Sequence, residues 1–286
     1  MDIEIILQLF INSLNLGLTY TLVALGLTII FSIMQIVNFA HGEIYMLGAF
    51  VAYVMVTNLK INFFLSLVVT SVAIGVIGAA IERVLFRKFR TEHLNALVLS
   101  LGLSILLQNV ALIIWAGDDR SFPSPFRGQS FRFLGASVPI ERVVMMIIAI
   151  LMLILVYYFV VHTKTGQAMQ AVAQDNEAAA LQGININYIC LLSFSIGCAL
   201  AGLAGAMMGS VFHVSPYIGS MPVLKAFVVI VLGGLGSIFG ALIGGFLLGV
   251  IDSVCLFSLG TLGNMAGFII LILVILFKPM GLFGHE

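Results

Sequence analysis

The chain has 286 residues, of which 62% are hydrophobic and only 8% charged, against about 25% charged residues in ordinary soluble domains. Its mean hydropathy is +1.21, and twelve basic residues balance twelve acidic ones for a net charge of zero. These values exclude a soluble globular domain and give no nucleic-acid-binding surface; they point to an all-α, polytopic membrane protein.

A membrane-spanning helix needs about 20 mostly apolar residues. In chain order the apolar runs are residues 5–36, 44–57, 61–81, 94–117, 143–161, 188–212, 223–255 and 259–277. Asp2 and Glu4 stand where a secretory leader carries basic residues, so the first run is expected to remain as a span. The first and seventh runs are too long for one straight helix, and the second is too short. Residues 5–57 are therefore expected to form broken or tilted elements around the polar patch 38–43. Residues 223–255 are expected to hold a short helix, a break at Gly233, Gly234, Leu235 and Gly236, and a full span from Ile238. The expected architecture is one transmembrane domain over residues 1–286, a helical bundle of eight or nine crossings with broken or re-entrant segments.

Basic residues near span ends set orientation. Arg83, Arg87, Lys88 and Arg90 crowd the connector 82–93, which is expected to be cytoplasmic. Two crossings later, residues 166–187 fall on the same side. Residues 118–142 carry four arginines but are long, mixed in sign and rich in Pro, Ser and Gly; they are expected to form an extracellular loop. The N-terminus then lies outside and, with nine crossings, Lys278 inside.

Of the charged residues, only Glu43 and Asp252 lie inside or against strongly apolar runs. Charge at membrane depth costs several kcal/mol unless water or a partner relieves it. Both are candidates either for a translocation pathway or for structural hydrogen bonds, with Asn38 and His41 beside Glu43. Asn12, Asn15, Gln108, Asn109 and Asn264 are neutral polar neighbours of the same two kinds. Glycines recur at fourth positions, as in Gly236, Gly240 and Gly244, Gly245 with Gly249, and Gly263 with Gly267. Such spacing lets helix backbones approach closely, either as fixed packing or as a face that rocks. Cys190, Cys198 and Cys255 have no metal-ligand spacing and read as small buried hydrophobes. No phosphate-cradling loop, nucleophile elbow or zinc pair occurs, so an enzyme is not expected, no metal site is expected, and any ATP must be bound by another subunit.

Residues 166–187, GQAMQAVAQDNEAAALQGININ, are a polar, alanine-rich island in this apolar sequence. Glu177, Ala178 and Ala179 with Gly183 give the spacing EAA-xxx-G. A structured polar helix has no role in lipid and suits docking to another protein. Small alanines let a helix sit deep in a groove, Glu177 offers a carboxylate to a basic partner, and Gly183 can end the helix in a left-handed conformation.

Two blocks flank this loop: GLTIIFSIMQIVNFAHGEIYMLGAF at residues 26–50 and KAFVVIVLGGLGSIFGALIGGFLLGVID at residues 225–252. In wording and order they resemble the permease subunits of bacterial branched-chain amino acid importers, the H-type of the two paired permeases in Liv-type ABC systems. The resemblance runs to the closing FKPMGLFG. It implies a multi-pass chain in the bacterial inner membrane, paired with a paralogous permease, two cytoplasmic ATPases that carry ATP and Mg, and a periplasmic binding protein. Glu177, Ala178, Ala179 and Gly183 match that family's ATPase-coupling loop. No Leu-Pro follows Gly183, a departure from the general importer motif. The same resemblance, through the block NFAHGE, leaves a urea or short-amide ABC permease as an alternative, and the residues themselves leave an ion-coupled secondary amino acid transporter using Glu43 and Asp252.

Overall fold

A computed structural model describes residues 3–133, 136–278 and 281–283. In chain order the helices are α1 Ile3–Met34, α2 His41–Tyr53, α3 Phe63–Val84, α4 His93–Trp115, α5 Ile140–His162, α6 Lys164–Gln174, α7 Asn176–Leu181, α8 Ile186–Val211, α9 Ser220–Gly233, α10 Ile238–Leu259 and α11 Ala266–Phe277. Two short strands, β1 Ser130–Phe133 and β2 Ala136–Pro139, pair antiparallel between α4 and α5. Among the described residues, six stretches are long and apolar enough to cross a membrane: Glu4–Met34, Phe63–Lys88, His93–Trp115, Ile140–His162, Ile186–Val211 and Ile238–Phe277.

The bundle is built on α8 and α1. α8 packs against α3, α2 and α1, and α1 packs in turn against α10. Glycine makes these approaches possible. A Cβ on Gly26 of α1 would stand 2.6 Å from the carbonyl oxygen of Gly197 in α8, and the reverse holds at the same distance. Small residues at such crossings replace the hydrophobic drive that lipid cannot supply. α10 uses two glycine faces: Gly240 and Gly244 lie against Gly233 and Val229 of α9, and Gly245 and Gly249 against Thr21 and Gly17 of α1. The recurrent glycines therefore wedge one helix between two others.

The expected break at Gly233, Gly234, Leu235 and Gly236 falls where the sequence placed it. α9 ends at Gly233, Gly234 and Gly236 take φ of 104° and 83°, and α10 starts at Ile238. A side chain at either position would be strained, so a sharp reversal between two helices selects glycine. The first run behaves differently from expectation. α1 is one unbroken helix of 32 residues, about 48 Å long at 1.5 Å per residue, so it is accommodated by tilt or by protrusion. The break comes after it, at residues 35–40, where Gln35 has φ of 52°. α2 then starts at His41 and takes Glu43 into its first turn, so the patch divides between connector and helix. A π-helical turn, Val54–Asn58, extends α2.

The stretch Ile238–Phe277 is a hairpin. α10 leads away from the α9 break, the 3₁₀ segment Gly260–Met265 folds back on Cys255 and Leu256, and α11 returns. The backbone N–H of Leu282 donates to the Leu232 carbonyl, closing the end of the chain onto α9.

The two ends of the bundle are distinct. At one end the Arg90 guanidinium pairs with Glu82 and donates to Asn187 Oδ1 at 2.8 Å, which fixes the basic connector beside the polar island. At the other end Arg120 bridges to Val214, and Arg142 donates to Asn12 at 2.8 Å. The expected loop 118–142 is more ordered than a loop: it contains the β1–β2 hairpin, and α5 begins inside it at Ile140. Cys190 and Cys198 are buried as expected, whereas Cys255 is half-buried.

Candidate functional site

Residues 166–187 fold as two helices. Thr163 caps α6 by accepting from the Gly166 N–H at 3.0 Å. Asp175 ends α6 and caps α7, its Oδ1 accepting from the N–H groups of Glu177 and Ala178 at 2.9 and 3.0 Å. α7 is one and a half turns long, and both its ends are specified by side chain or backbone. At its C-terminus the Gly183 N–H donates to the Ala180 carbonyl at 3.0 Å and the Ile184 N–H to that of Ala179 at 3.2 Å. Gly183 has φ of 83°. This paired return is the Schellman arrangement, with glycine in the left-handed position that a Cβ would penalise.

The four residues of the EAA-xxx-G spacing thus have different surroundings. Glu177 and Ala178 are exposed, Gly183 forms the cap, and Ala179 is buried in the chain's own core. Ala179 seats α7 on the bundle and does not face outward. The sequence reading missed the most prominent side chain. Leu181 is 88% exposed at the tip of a polar loop, with the exposed polar residues Asn176, Glu177 and Gln182 around it. An apolar side chain in that position is covered by lipid only if the helix lies in the membrane, and its polar flanks argue against that; it has the character of an anchor for a partner's pocket.

The membrane-depth polar candidates lie apart from one another. Asn38 Oδ1 accepts from the Ala40 N–H at 3.1 Å and so stabilises the break before α2. His41 Nε2 donates to the Val23 carbonyl of α1 at 3.2 Å. Asn38 Nδ2 and His41 Nδ1 are buried without a partner among the described residues. Glu43, 7% exposed, lies two residues on in the first turn of α2, and residues two apart on a helix do not share a face.

Asp252 is fully buried and bound on two sides. Lys225 Nζ lies 2.7 Å from Oδ2 and 2.8 Å from Oδ1, and the Tyr20 hydroxyl donates to Oδ2 at 2.9 Å. Lys225 is itself 3% exposed, donates to the Asn264 carbonyl at 2.9 Å, and stands 5.2 Å from the Phe268 ring centroid. Glu43 and Asp252 are therefore not the only charges at depth. Lys225 was legible only as a lone lysine at the head of an apolar run, and Glu82, also fully buried, as a member of a basic connector. The glycine candidates Gly233, Gly234, Gly236, Gly240 and Gly244 are gathered at the α9–α10 reversal.

Two cavities open at opposite ends of the bundle. One, of about 720 Å³, lies beside α6 and is bordered by Ser32, Gln35, His93, Gln170, Gln174 and Ser237. The other, of about 430 Å³, contains Asn12, Asn15 and Arg142. Asn38, His41, Glu43 and Asp252 line neither.

Comparison with known proteins agrees with this architecture. A family model described as "Branched-chain amino acid transport system / permease component" matches residues 9–277. The "High-affinity branched-chain amino acid transport system permease protein LivH" of Salmonella typhimurium is 38% identical over 298 residues, covering 98% of this chain and 96% of the relative. The protein of the same name in Escherichia coli K12 is 37% identical with the same coverage. The permease protein BraD of Pseudomonas aeruginosa is 35% identical, again over 98% and 96%. No solved structure matches the chain. Near-complete coverage of both partners, at identities that leave no gap for a different domain, means that the chain belongs to the family of branched-chain amino acid transport permease components.

Proposed function

We propose that this chain forms one half of the translocation path of an ATP-driven importer of leucine, isoleucine and valine in a bacterial inner membrane. The other half is a paralogous permease. Two cytoplasmic ATPases bind ATP and Mg, and a periplasmic binding protein delivers the amino acid; the chain holds no cofactor of its own. The observation that carries the reading is α7, a rigidly capped helix that presents Glu177, Ala178 and Leu181 outward from an apolar bundle. The names of the relatives supply the cargo.

In this reading the chain makes nine crossings: α1, α3, α4, α5, α8 and α10 as full spans, and α2, α9 and α11 as shorter passes. The 166–187 loop and the basic connector then lie in the cytoplasm, and the hairpin loop 118–142 and the N-terminus lie outside. ATP binding draws the ATPases together and pulls on α6 and α7. That movement reaches α5 and α8 directly through the Thr163 and Asn185 caps, because each cap joins a long helix to the loop with no flexible linker between them. Alternating access follows as the bundle rocks against its partner permease. Asp252 is no free carboxylate for H⁺ or Na⁺ coupling, since Lys225 neutralises it and Tyr20 donates to it.

The test is a mild-detergent pull-down of the tagged chain from its native membrane, followed by uptake in proteoliposomes. Recovery of a second permease and two P-loop ATPases, with leucine uptake dependent on ATP and binding protein, is expected. A chain recovered alone and driving uptake that an ionophore abolishes would refute the proposal, and competition by urea in place of leucine would move it to the amide branch.

A further inference from the structure

At the end of the bundle opposite α7, the cavity of about 430 Å³ opens between the first turns of α1, the start of α5 and the last turns of α8 and α10. Its size falls within the roughly 300–1,000 Å³ of small-molecule sites. Its walls are mainly apolar, from Leu9, Leu16, Phe212, Leu256 and Phe257. A single cation, Arg142, stands among them. Its Nη1 donates to Asn12 Oδ1 at 2.8 Å, and its backbone carbonyl accepts from Asn15 Nδ2 at 3.4 Å. Among the described residues Arg142 has no carboxylate within ion-pair distance, and its Nε and Nη2 make no hydrogen bond.

An arginine held by one N–H while the rest of its fork stays free is prepared to take a carboxylate through two parallel hydrogen bonds. Asn12 removes much of the side-chain freedom that binding would otherwise have to remove. An apolar wall facing a lone guanidinium matches neither a lipid tail, which has no use for the charge, nor a sugar, which has no use for the wall. It matches a molecule carrying a carboxylate at one end and a branched hydrocarbon at the other; Gln8 and Ser253 border the same cavity, and the Ser253 hydroxyl, which donates to the Leu9 carbonyl at 3.2 Å, keeps its oxygen lone pairs for an ammonium group.

We propose that this cavity is a subsite for a free zwitterionic amino acid with an aliphatic side chain, whose carboxylate is held by Arg142. The inference rests on the importer reading, which turns this end of the bundle toward the binding protein. The subsite is the point at which the released amino acid first rests on the permease. Arg142 fixes its head group, while the leucine-rich wall selects the side chain by area alone.

The experiment uses the assembled transporter without binding protein, in a background where Cys255 is serine and Leu16→Cys is the reporter; the two remaining cysteines are buried. Modification of Leu16→Cys by a membrane-impermeant thiol reagent is followed with and without leucine. Leucine is expected to slow modification, and Arg142→Gln to raise the leucine concentration needed by about tenfold or more. Arg142→Lys should fall between. In case Arg142→Gln does not assemble, 3-methylbutylamine provides a second test with Arg142 intact: it keeps the branched chain and the ammonium but lacks the carboxylate, and should give no protection. Absent protection, protection indifferent to Arg142→Gln, or equal protection by the amine overturns the subsite. A reporter already shielded in lipid vesicles before leucine is added also overturns it, with a lipid as the occupant. ATP-driven leucine uptake by the parent complex, with its binding protein restored, is measured alongside. Its failure removes the importer reading, whereas intact uptake with any of the preceding results removes the subsite alone.

Discussion

The ammonium of Lys225 and the carboxylate of Asp252 meet at 2.7 Å in the interior of the bundle, 3% and 0% exposed. Tyr20 from α1 and the Asn264 carbonyl complete the cluster, so one charge pair ties α9 and α10 to α1 and to the segment that leads into α11. α9 and α11 are the short helices of this region, with 14 and 12 residues. Both fall short of the about 20 residues that a membrane-spanning helix needs, and a fully satisfied polar cluster fixes their depth and register.

Removing one partner leaves an uncompensated charge, which costs about 3–5 kcal/mol when buried. Lys225→Met and Asp252→Leu are each expected to cut the yield of folded protein and lower the melting temperature in detergent. Lys225→Met combined with Asp252→Leu removes both charges and should recover much of the loss. Single variants as stable as the parent would show that water reaches the pair.

Leu181→Asp probes the docking face. Because Leu181 is 88% exposed, its replacement leaves the fold untouched, and the melting temperature of the isolated chain should not change. If Leu181 fills a partner's pocket, its loss costs about 2 kcal/mol of binding, a fall of roughly thirtyfold in ATPase affinity by the same measure. Co-purification of the ATPases reads this directly. Glu177→Arg should likewise uncouple ATP hydrolysis from uptake, and normal uptake with normal assembly would remove Glu177 from the coupling contact.

The two caps of α7 are separable from its surface. Asp175→Ala removes the acceptor for two N–H groups and is expected to cost about 1 kcal/mol. Gly183→Ala places a Cβ on a left-handed residue at about 1–2 kcal/mol, with Gly183→Asn milder. Faster hydrogen exchange confined to residues 176–184, with the spans unaffected, is the expected result.

Gly26→Val tests the α1–α8 crossing. A Cβ there would press on the Gly197 carbonyl oxygen at 2.6 Å, and two backbones cannot yield as a side chain can. Overpacking of this kind costs about 1–3 kcal/mol. The variant is expected to melt earlier than Gly102→Val, since nothing lies within 4 Å of a Cβ at Gly102.

Much of this architecture is legible in the residues because lipid is an unforgiving solvent. Apolar length marks the long helices, and the run of Gly233, Gly234 and Gly236 marks a reversal, since φ of 104° and 83° admits little else. The spacing of Glu177, Ala178, Ala179 and Gly183 marks a short capped helix for the same local reason: helix ends are decided by a few neighbouring residues. Local rules could not say which residues of that helix face outward. Ala179 belongs to the EAA-xxx-G spacing yet is buried, while Leu181 lies outside the spacing and is the exposed one.

Charge placement was the other blind spot. A lysine at the head of an apolar run gives no sign of its depth, and Arg142 and Asn12, 130 positions apart, give no sign of sharing a cavity. By itself the sequence determined the class of the protein, the reversal at Gly233, Gly234 and Gly236 and the helix at its polar loop, because these follow from solvent and backbone geometry over a few turns. Only the tertiary structure decided that Lys225 neutralises Asp252, that Ala179 faces inward, and that Arg142 keeps a free fork beside an apolar wall. Such pairings depend on how helices distant in sequence are laid against one another, and that is set by close backbone contacts such as Gly26 with Gly197, which no local pattern encodes.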